Sequence, residues 1–288
     1  KKRPVKNVAK VRQVRKEIQS KADSAAQQSQ SKVLYKTTNA LPGVALQGEA
    51  SRLRDLAKRD DVVKISAIIP KTRENKGTVI DTGAVQAWAA QHQTGKGVTI
   101  AVIDSGVDYT HAAFGGPGTK EAYKEAKASN DMPSAKSGLY DPKKYKGGWD
   151  LVGDDYNAAS FFSWPQPDSN PLDCELGGHG THVAGTAAGY GVDKDGKTFR
   201  GDYQSLNDDL VNAMRIGPGA APEAGIVGLR VFGCEGSTNV VGEALDRVLD
   251  PNGDGDFSDR AQIVNMSLGS TNSPADDPEA DMVNALTD

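Results

Sequence analysis

Val5, Val8, Val11, Val14 and Ile18 recur at helical spacing with Lys and Arg between them, which predicts an amphipathic helix. A Gln/Ser/Ala-rich stretch follows to about Ser31. Residues 33–38 read as a strand, Leu41-Pro42-Gly43 as a turn and residues 44–47 as a second strand. Ala50, Leu53, Leu56 and Ala57 return to the helical period, and residues 62–69, ended by Pro70, read as a third strand. This order predicts a small α+β, ferredoxin-like unit whose first strand is missing. Residues 71–82 are polar, carry no apolar period, and read as a linker.

Beyond residue 82 the pattern changes. Residues 98–103, 226–232 and 262–268 are nearly unbroken apolar, β-branched runs, as strands buried on both faces of a parallel sheet require. Helical patterns at 182–188 and 240–249 alternate with them. The fold class is therefore α/β, a parallel sheet with helices on both faces and its site at the carboxyl ends of the strands. Two stretches, about 115–176 and 190–218, are rich in Gly, Pro, Asp, Lys and Tyr and read as insertions on surface loops. No apolar run approaches the roughly 20 residues of a membrane helix, so no span is expected.

Charge adds an asymmetry. Residues 1–80 hold 19 Lys/Arg against 7 Asp/Glu, a net of +12, whereas residues 81–288 hold 15 against 31, a net of −16. A basic segment tethered to an acidic one points to an internal partner rather than to nucleic acid. Solvated helix faces carrying unrelated charges are the plainer alternative. Two cysteines exclude a disulfide-dense miniprotein, and their spacing is not that of a zinc finger.

Three segments carry chemistry. Ile103-Asp104-Ser105-Gly106 sets a carboxylate at the end of a buried strand. Gly177-Gly178-His179-Gly180-Thr181-His182-Val183-Ala184-Gly185 sets an imidazole at a helix start, among glycines that let backbones approach closely. His182 is read as a core histidine, and His92 and His111 as structural or surface residues. The third segment is Asp250-Pro251-Asn252-Gly253-Asp254-Gly255-Asp256-Phe257-Ser258-Asp259. Its alternating oxygens, with Gly at the sixth position, resemble the first part of an EF-hand loop, a set suited to calcium. The twelfth position is Ala261 rather than Glu, with Asp259 as a substitute ligand. An acidic turn between helix and strand is the alternative.

Val102-Ile103-Asp104-Ser105-Gly106-Val107-Asp108, the His179 motif and Ile263-Val264-Asn265-Met266-Ser267-Leu268-Gly269, in that order, resemble the subtilisin-like serine peptidases. Gly219-Ala220-Ala221-Pro222 resembles that family's turn before the next strand, and residues 146–155 resemble the large secreted bacterial members. The resemblance implies residues 1–75 as an inhibitory propeptide and 76–288 as the N-terminal part of the catalytic domain. It implies Asp104 as the orienting carboxylate and His179 as general base, then acid, in an acyl-serine mechanism. Ser267, Leu268 and Gly269 on one side, and Gly236, Ser237 and Thr238 on the other, would clamp an extended substrate. Thr238 stands where the family usually has glycine. Cys174 and Cys234 would pair as a disulfide in a secreted setting, two buried free thiols being the alternative. The chemistry requires no cofactor.

No Gly-Thr-Ser nucleophile segment occurs in the 288 residues. The chain starts at Lys1 without Met and stops within an unfinished helical pattern, so both ends read as cut. The expected function is a secreted serine endopeptidase truncated before its nucleophile. Its expected partners are peptide substrates, its own propeptide and the missing half of the catalytic domain, with no nucleic acid. A non-catalytic, propeptide-capped binding or regulatory fragment is the alternative.

Overall fold

The computed structural model describes residues 7–70, 72–73, 82–176, 178–270 and 277–287. Most of the predicted linker, and Gly177 of the histidine motif, lie outside these.

The N-terminal unit consists of helix α1 (Val8–Ser29), strands β1 (Lys32–Thr37) and β2 (Gly43–Gln47), paired antiparallel, and helix α2 (Ala50–Asp55). Asn7 caps α1 by accepting the Lys10 N–H, and Gln30 ends it in the left-handed region. The Gln/Ser/Ala stretch continues α1 and buries Ala22, Ala25, Ala26 and Ser29. The third strand expected over 62–69 does not form. Val63 is fully exposed and Ile65 is 41% exposed, while Ile68 packs against the core, so the segment touches the body through single side chains rather than through a strand ladder.

After the short strand β3 (Thr72–Arg73), the remainder is built on one parallel sheet in the order Tyr145–Asp150 (β5), Gly225–Arg230 (β6), Thr99–Asp104 (β4), Ile263–Asn265 (β7). In chain order its elements are helix α3 (Ala84–Gln91), strand β4 (Thr99–Asp104), helix α4 (Lys120–Lys127), strand β5 (Tyr145–Asp150) and helix α5 (His179–Ala188). Helix α6 (Asp208–Asn212), strand β6 (Gly225–Arg230), helix α7 (Val241–Arg247), strand β7 (Ile263–Asn265) and helix α8 (Pro278–Thr287) follow. Alternate residues of β4 feed two cores. Ile100 and Val102 pack with Val183, Ala184 and Ala188 of α5, while Ala101 and Ile103 pack with Val241, Ala244 and Leu245 of α7. Each fully buried aliphatic side chain contributes about 1.5–3 kcal/mol.

The reading of 115–176 as a surface insertion is corrected by β5, which lies inside that range and is an edge strand of the sheet. Two features allow it. Lys144 is 1% exposed, and its ammonium donates to the carbonyls of Ala188, Pro222 and Ala224 at 2.7 Å each. Gly148 lies so close to β6 that a Cβ there would meet Gly228 O at 1.8 Å. The 190–218 stretch packs Tyr203, Leu206 and Val211 against Val85 and Trp88 of α3.

The N-terminal unit sits on α7 and α8. Tyr35 and Ala45 share a core with Val241 and Met282. Buried Asp246, in α7, accepts the N–H groups of Thr38, Asn39 and Ala40 at 2.9, 2.6 and 2.8 Å. Lys64 pairs with Asp281 at 2.5 Å.

Candidate active site

Asp104 is the last residue of β4 and is completely buried. His179 is the first residue of α5, which enters from a left-handed Gly178. The two meet because Gly180 lets α5 rest on the end of β4. A Cβ there would lie 2.2 Å from Gly106 O and 3.0 Å from Asp104 Cβ. His179 Nδ1 is 2.7 Å from Asp104 Oδ1, which also accepts the Ser105 N–H at 2.7 Å. Burial raises the Asp104 carboxyl above the ordinary range, against the opposing pull of His179 and the Ser105 N–H. An ionised Asp104 fixes the proton on Nδ1 and leaves Nε2 as the basic nitrogen. Nε2 is buried and has no hydrogen-bond partner among the described residues.

A second carboxylate, which the sequence reading did not single out, holds this junction. Asp173 is 1% exposed and its Oδ1 accepts from Ser105 Oγ and Cys174 N, both at 2.9 Å. Its Oδ2 accepts from Thr181 N at 2.9 Å and Thr181 Oγ1 at 2.6 Å. Ser105 Oγ in turn accepts the Gly180 N–H at 2.9 Å. One side chain thus ties the end of β4 to the first turn of α5. Its only sequence signal is its place six residues before His179.

Cys174 and Cys234 form a disulfide with a Cα–Cα separation of 5.6 Å, joining the loop before α5 to the loop after β6. Buried Arg230 lies beside it, with Nη2 3.1 Å from Cys174 Sγ and Nη1 on Asp150 at 3.0 Å and Asp154 at 2.8 Å. Asp154, Cys174 and Cys234 bring their ligand atoms within 4.8 Å of one another, but sulfurs bonded to each other offer no thiolate to a metal.

Of the two expected substrate edges, one carries an extended segment. Strand β3 (Thr72–Arg73) pairs antiparallel with strand β8 (Leu268–Gly269), Thr72 opposite Gly269 and Arg73 opposite Leu268. Ser267, just before β8, accepts from Asn265 Nδ2 at 3.0 Å. The other edge differs from expectation. Ser237 gives its carbonyl to Ala158 N at 2.9 Å and its N–H to Asn157 Oδ1 at 3.3 Å. Thr238 is fully buried, and its Oγ1 accepts the Val240 N–H at 3.3 Å, so its side chain anchors the start of α7 rather than facing a ligand. Gly236 is left-handed and exposed.

His182 is not a core residue: it is exposed, although Val183 and Ala184 beside it are buried. With His111, Thr181, Thr186, Met214 and Pro218 it lines a cavity of about 540 Å³ that includes neither Asp104 nor His179. His111 Nδ1 accepts the Ala113 N–H at 3.1 Å, and His92 ends α3 in a left-handed conformation.

The 250–259 loop links α7 to β7. Asp250 is 2% exposed, with Oδ1 buried and without a hydrogen-bond partner among the described residues and Oδ2 accepting the Gly255 N–H at 3.0 Å. An orphaned buried carboxylate oxygen and a run of hard oxygen donors suit calcium chemically. The arrangement is not that of a formed calcium cage. Arg15 of α1 pairs with Asp250 Oδ2, and Asp254, Asp256 and Asp259 do not gather with Asp250 into a close ligand cluster.

Comparison with known proteins assigns the chain to a family. Residues 95–287 match the model of the subtilase family, and the chain belongs to that family. It is 27% identical over 223 residues to the minor extracellular protease Vpr of Bacillus subtilis (strain 168), covering 76% of this chain and 19% of Vpr. It is 24% identical over 236 residues to subtilisin-like protease 6 of Arthroderma gypseum, covering 78% and 41%. The chain therefore spans less than half the length of either relative. A cold adapted subtilisin-like serine proteinase of known structure is 26% identical, with a TM-score of 0.32, over 67% of this chain and 42% of that one.

Proposed function

We propose that these residues are the N-terminal part of a secreted serine endopeptidase that hydrolyses peptide bonds through an acyl-serine intermediate. The observation that carries this reading is the pairing of buried Asp104 with half-buried His179, with Nδ1 held at 2.7 Å and Nε2 without a hydrogen-bond partner among the described residues. Asp104 orients the imidazole and stabilises its cation. His179 takes the proton of a serine hydroxyl and returns it to the leaving amine. The serine belongs to a segment outside the 288 residues on this reading, since no Gly-Thr-Ser occurs among them. A peptide would lie along Ser267, Leu268 and Gly269 as an added strand.

Residues 1–75 act here as an intramolecular inhibitor. In support, Thr72 and Arg73 already occupy the Leu268–Gly269 edge in the antiparallel manner of a bound peptide. Calcium enters only as a structural ion of the 250–259 loop, outside the chemistry.

The test is hydrolysis of fluorogenic peptides and labelling by a fluorophosphonate, using the full-length protein. Both are expected in the wild type and both are lost in His179→Ala. Peptides bound but left intact by the wild type, or cleaved equally by His179→Ala, would overturn the reading.

A further inference from the structure

We propose that helix α1 and a divalent cation compete for the 250–259 loop, so that calcium binding there displaces α1. This rests on the calcium reading of that loop and goes beyond it.

The first oxygen donor of the run, Asp250, is already claimed by a cation from elsewhere in the chain. Arg15 pairs with its Oδ2 and spans to Asn39 Oδ1, with Nε at 3.1 Å and Nη2 at 2.8 Å. Arg12, one turn earlier on α1, reaches the Asp254 carbonyl with Nη2 at 3.4 Å. The helix lies over the loop: a Cβ on Gly255 would stand 3.5 Å from Val8 Cγ1 and 3.9 Å from Arg15 Nη1. Arg15 also sits 5.9 Å from the Phe257 ring centroid.

The helix answers only part of the loop's oxygen set. The loop carries four carboxylates, Asp250, Asp254, Asp256 and Asp259, and among the described residues only Asp250 is ion-paired, although the guanidiniums of Arg12, Arg247 and Arg260 lie close to the loop. Asp250 Oδ1, buried and lacking a hydrogen-bond partner among the described residues, remains as a hard donor that the helix does not satisfy. A divalent cation satisfies these oxygens better than Arg15 does, because carboxylates can converge on it at about 2.3–2.6 Å. With Arg15 seated they do not converge. Inner-sphere coordination by Asp250 therefore requires Arg15 to withdraw and loosens the N-terminal half of α1. The β1–β2 turn is held separately by Asp246 and stays docked.

The experiment is calcium titration of chelator-treated full-length protein by calorimetry, for the wild type, Arg15→Gln and Asp254→Ala. Amide exchange over residues 8–29 is followed at zero and saturating calcium. Freeing the loop should raise calcium affinity about tenfold or more in Arg15→Gln. Asp254→Ala should abolish uptake, and wild-type exchange should rise with calcium over the first half of α1 but not over 32–47. No uptake by any variant would refute the loop as a calcium site. Equal affinity in wild type and Arg15→Gln, or unchanged exchange over α1 at saturation, would refute the competition alone. Arg12→Gln, which loses only a carbonyl contact, keeps the comparison valid if Arg15→Gln proves poorly folded. It should raise affinity by a smaller factor, and an unchanged value would count against the proposal. Peptide hydrolysis reports on the enzymatic reading independently of all these outcomes.

Discussion

At the scale of single residues, the geometry depends on a few carboxylates that serve different purposes. Asp104 addresses an imidazole, whereas Asp173 addresses four backbone and hydroxyl contacts around the same junction. Replacing Asp173 with Ala leaves the Ser105 and Thr181 hydroxyls and two N–H groups to find new partners in a buried place. We expect a loss of about 3–5 kcal/mol in unfolding free energy by urea titration. A loss under about 1 kcal/mol would mean that the junction is held by the disulfide and packing instead. Asp104 and His179 are legible in the sequence because each sits inside a string whose glycines are sterically dictated, as Gly180 shows. Asp173 is not legible in this way, because an isolated acid in an acidic region has no local pattern. The same limit explains His182, whose neighbours Val183 and Ala184 are buried while it points outward.

At the scale of elements, sequence pattern located β4, β6, β7, α5 and α7 to within a few residues, because their apolar periods match burial on the two sheet faces. It missed β5. A strand reading Tyr-Lys-Gly-Gly-Trp-Asp has no apolar run, and its burial rests on Lys144 finding three carbonyls. That burial pushes the Lys144 ammonium down to about 7. Helix α7 carries a comparable cost on the opposite face. Burial, with Asp246 adding to it and Arg247 opposing it, pushes the Glu243 carboxyl up to about 7. Between about pH 4.5 and pH 7 the folded protein holds a proton there that the unfolded chain has released. This contribution to stability is complete below the unfolded value and is lost as pH rises through the folded one. From about pH 4.5 to 7.5 the wild type should therefore lose about 3 kcal/mol more stability than Glu243→Gln. Parallel pH profiles for the two proteins would contradict this assignment.

At the scale of the whole molecule, a basic N-terminal unit of net +12 is laid on an acidic α/β body of net −16. The contacts between them are more specific than the charge count alone suggests. They combine a buried three-N–H anchor at Asp246, a shared core around Tyr35 and Met282, and the strand pair at Leu268–Gly269. The sequence made the body and its polarity legible, but not the N-terminal sheet, where residues 62–70 carry no regular secondary structure instead of adding a strand. Among the described residues no helix is long and apolar enough to cross a membrane. The architecture serves to bring the end of β4 and the start of α5 together, so the most direct test is made at that meeting point. In the full-length protein, kcat/KM for peptide hydrolysis should fall about 10⁴-fold in Asp104→Asn near neutral pH, where the amide fixes the wrong imidazole tautomer. Hydrolysis by Asp104→Asn within about tenfold of the wild type would contradict the account.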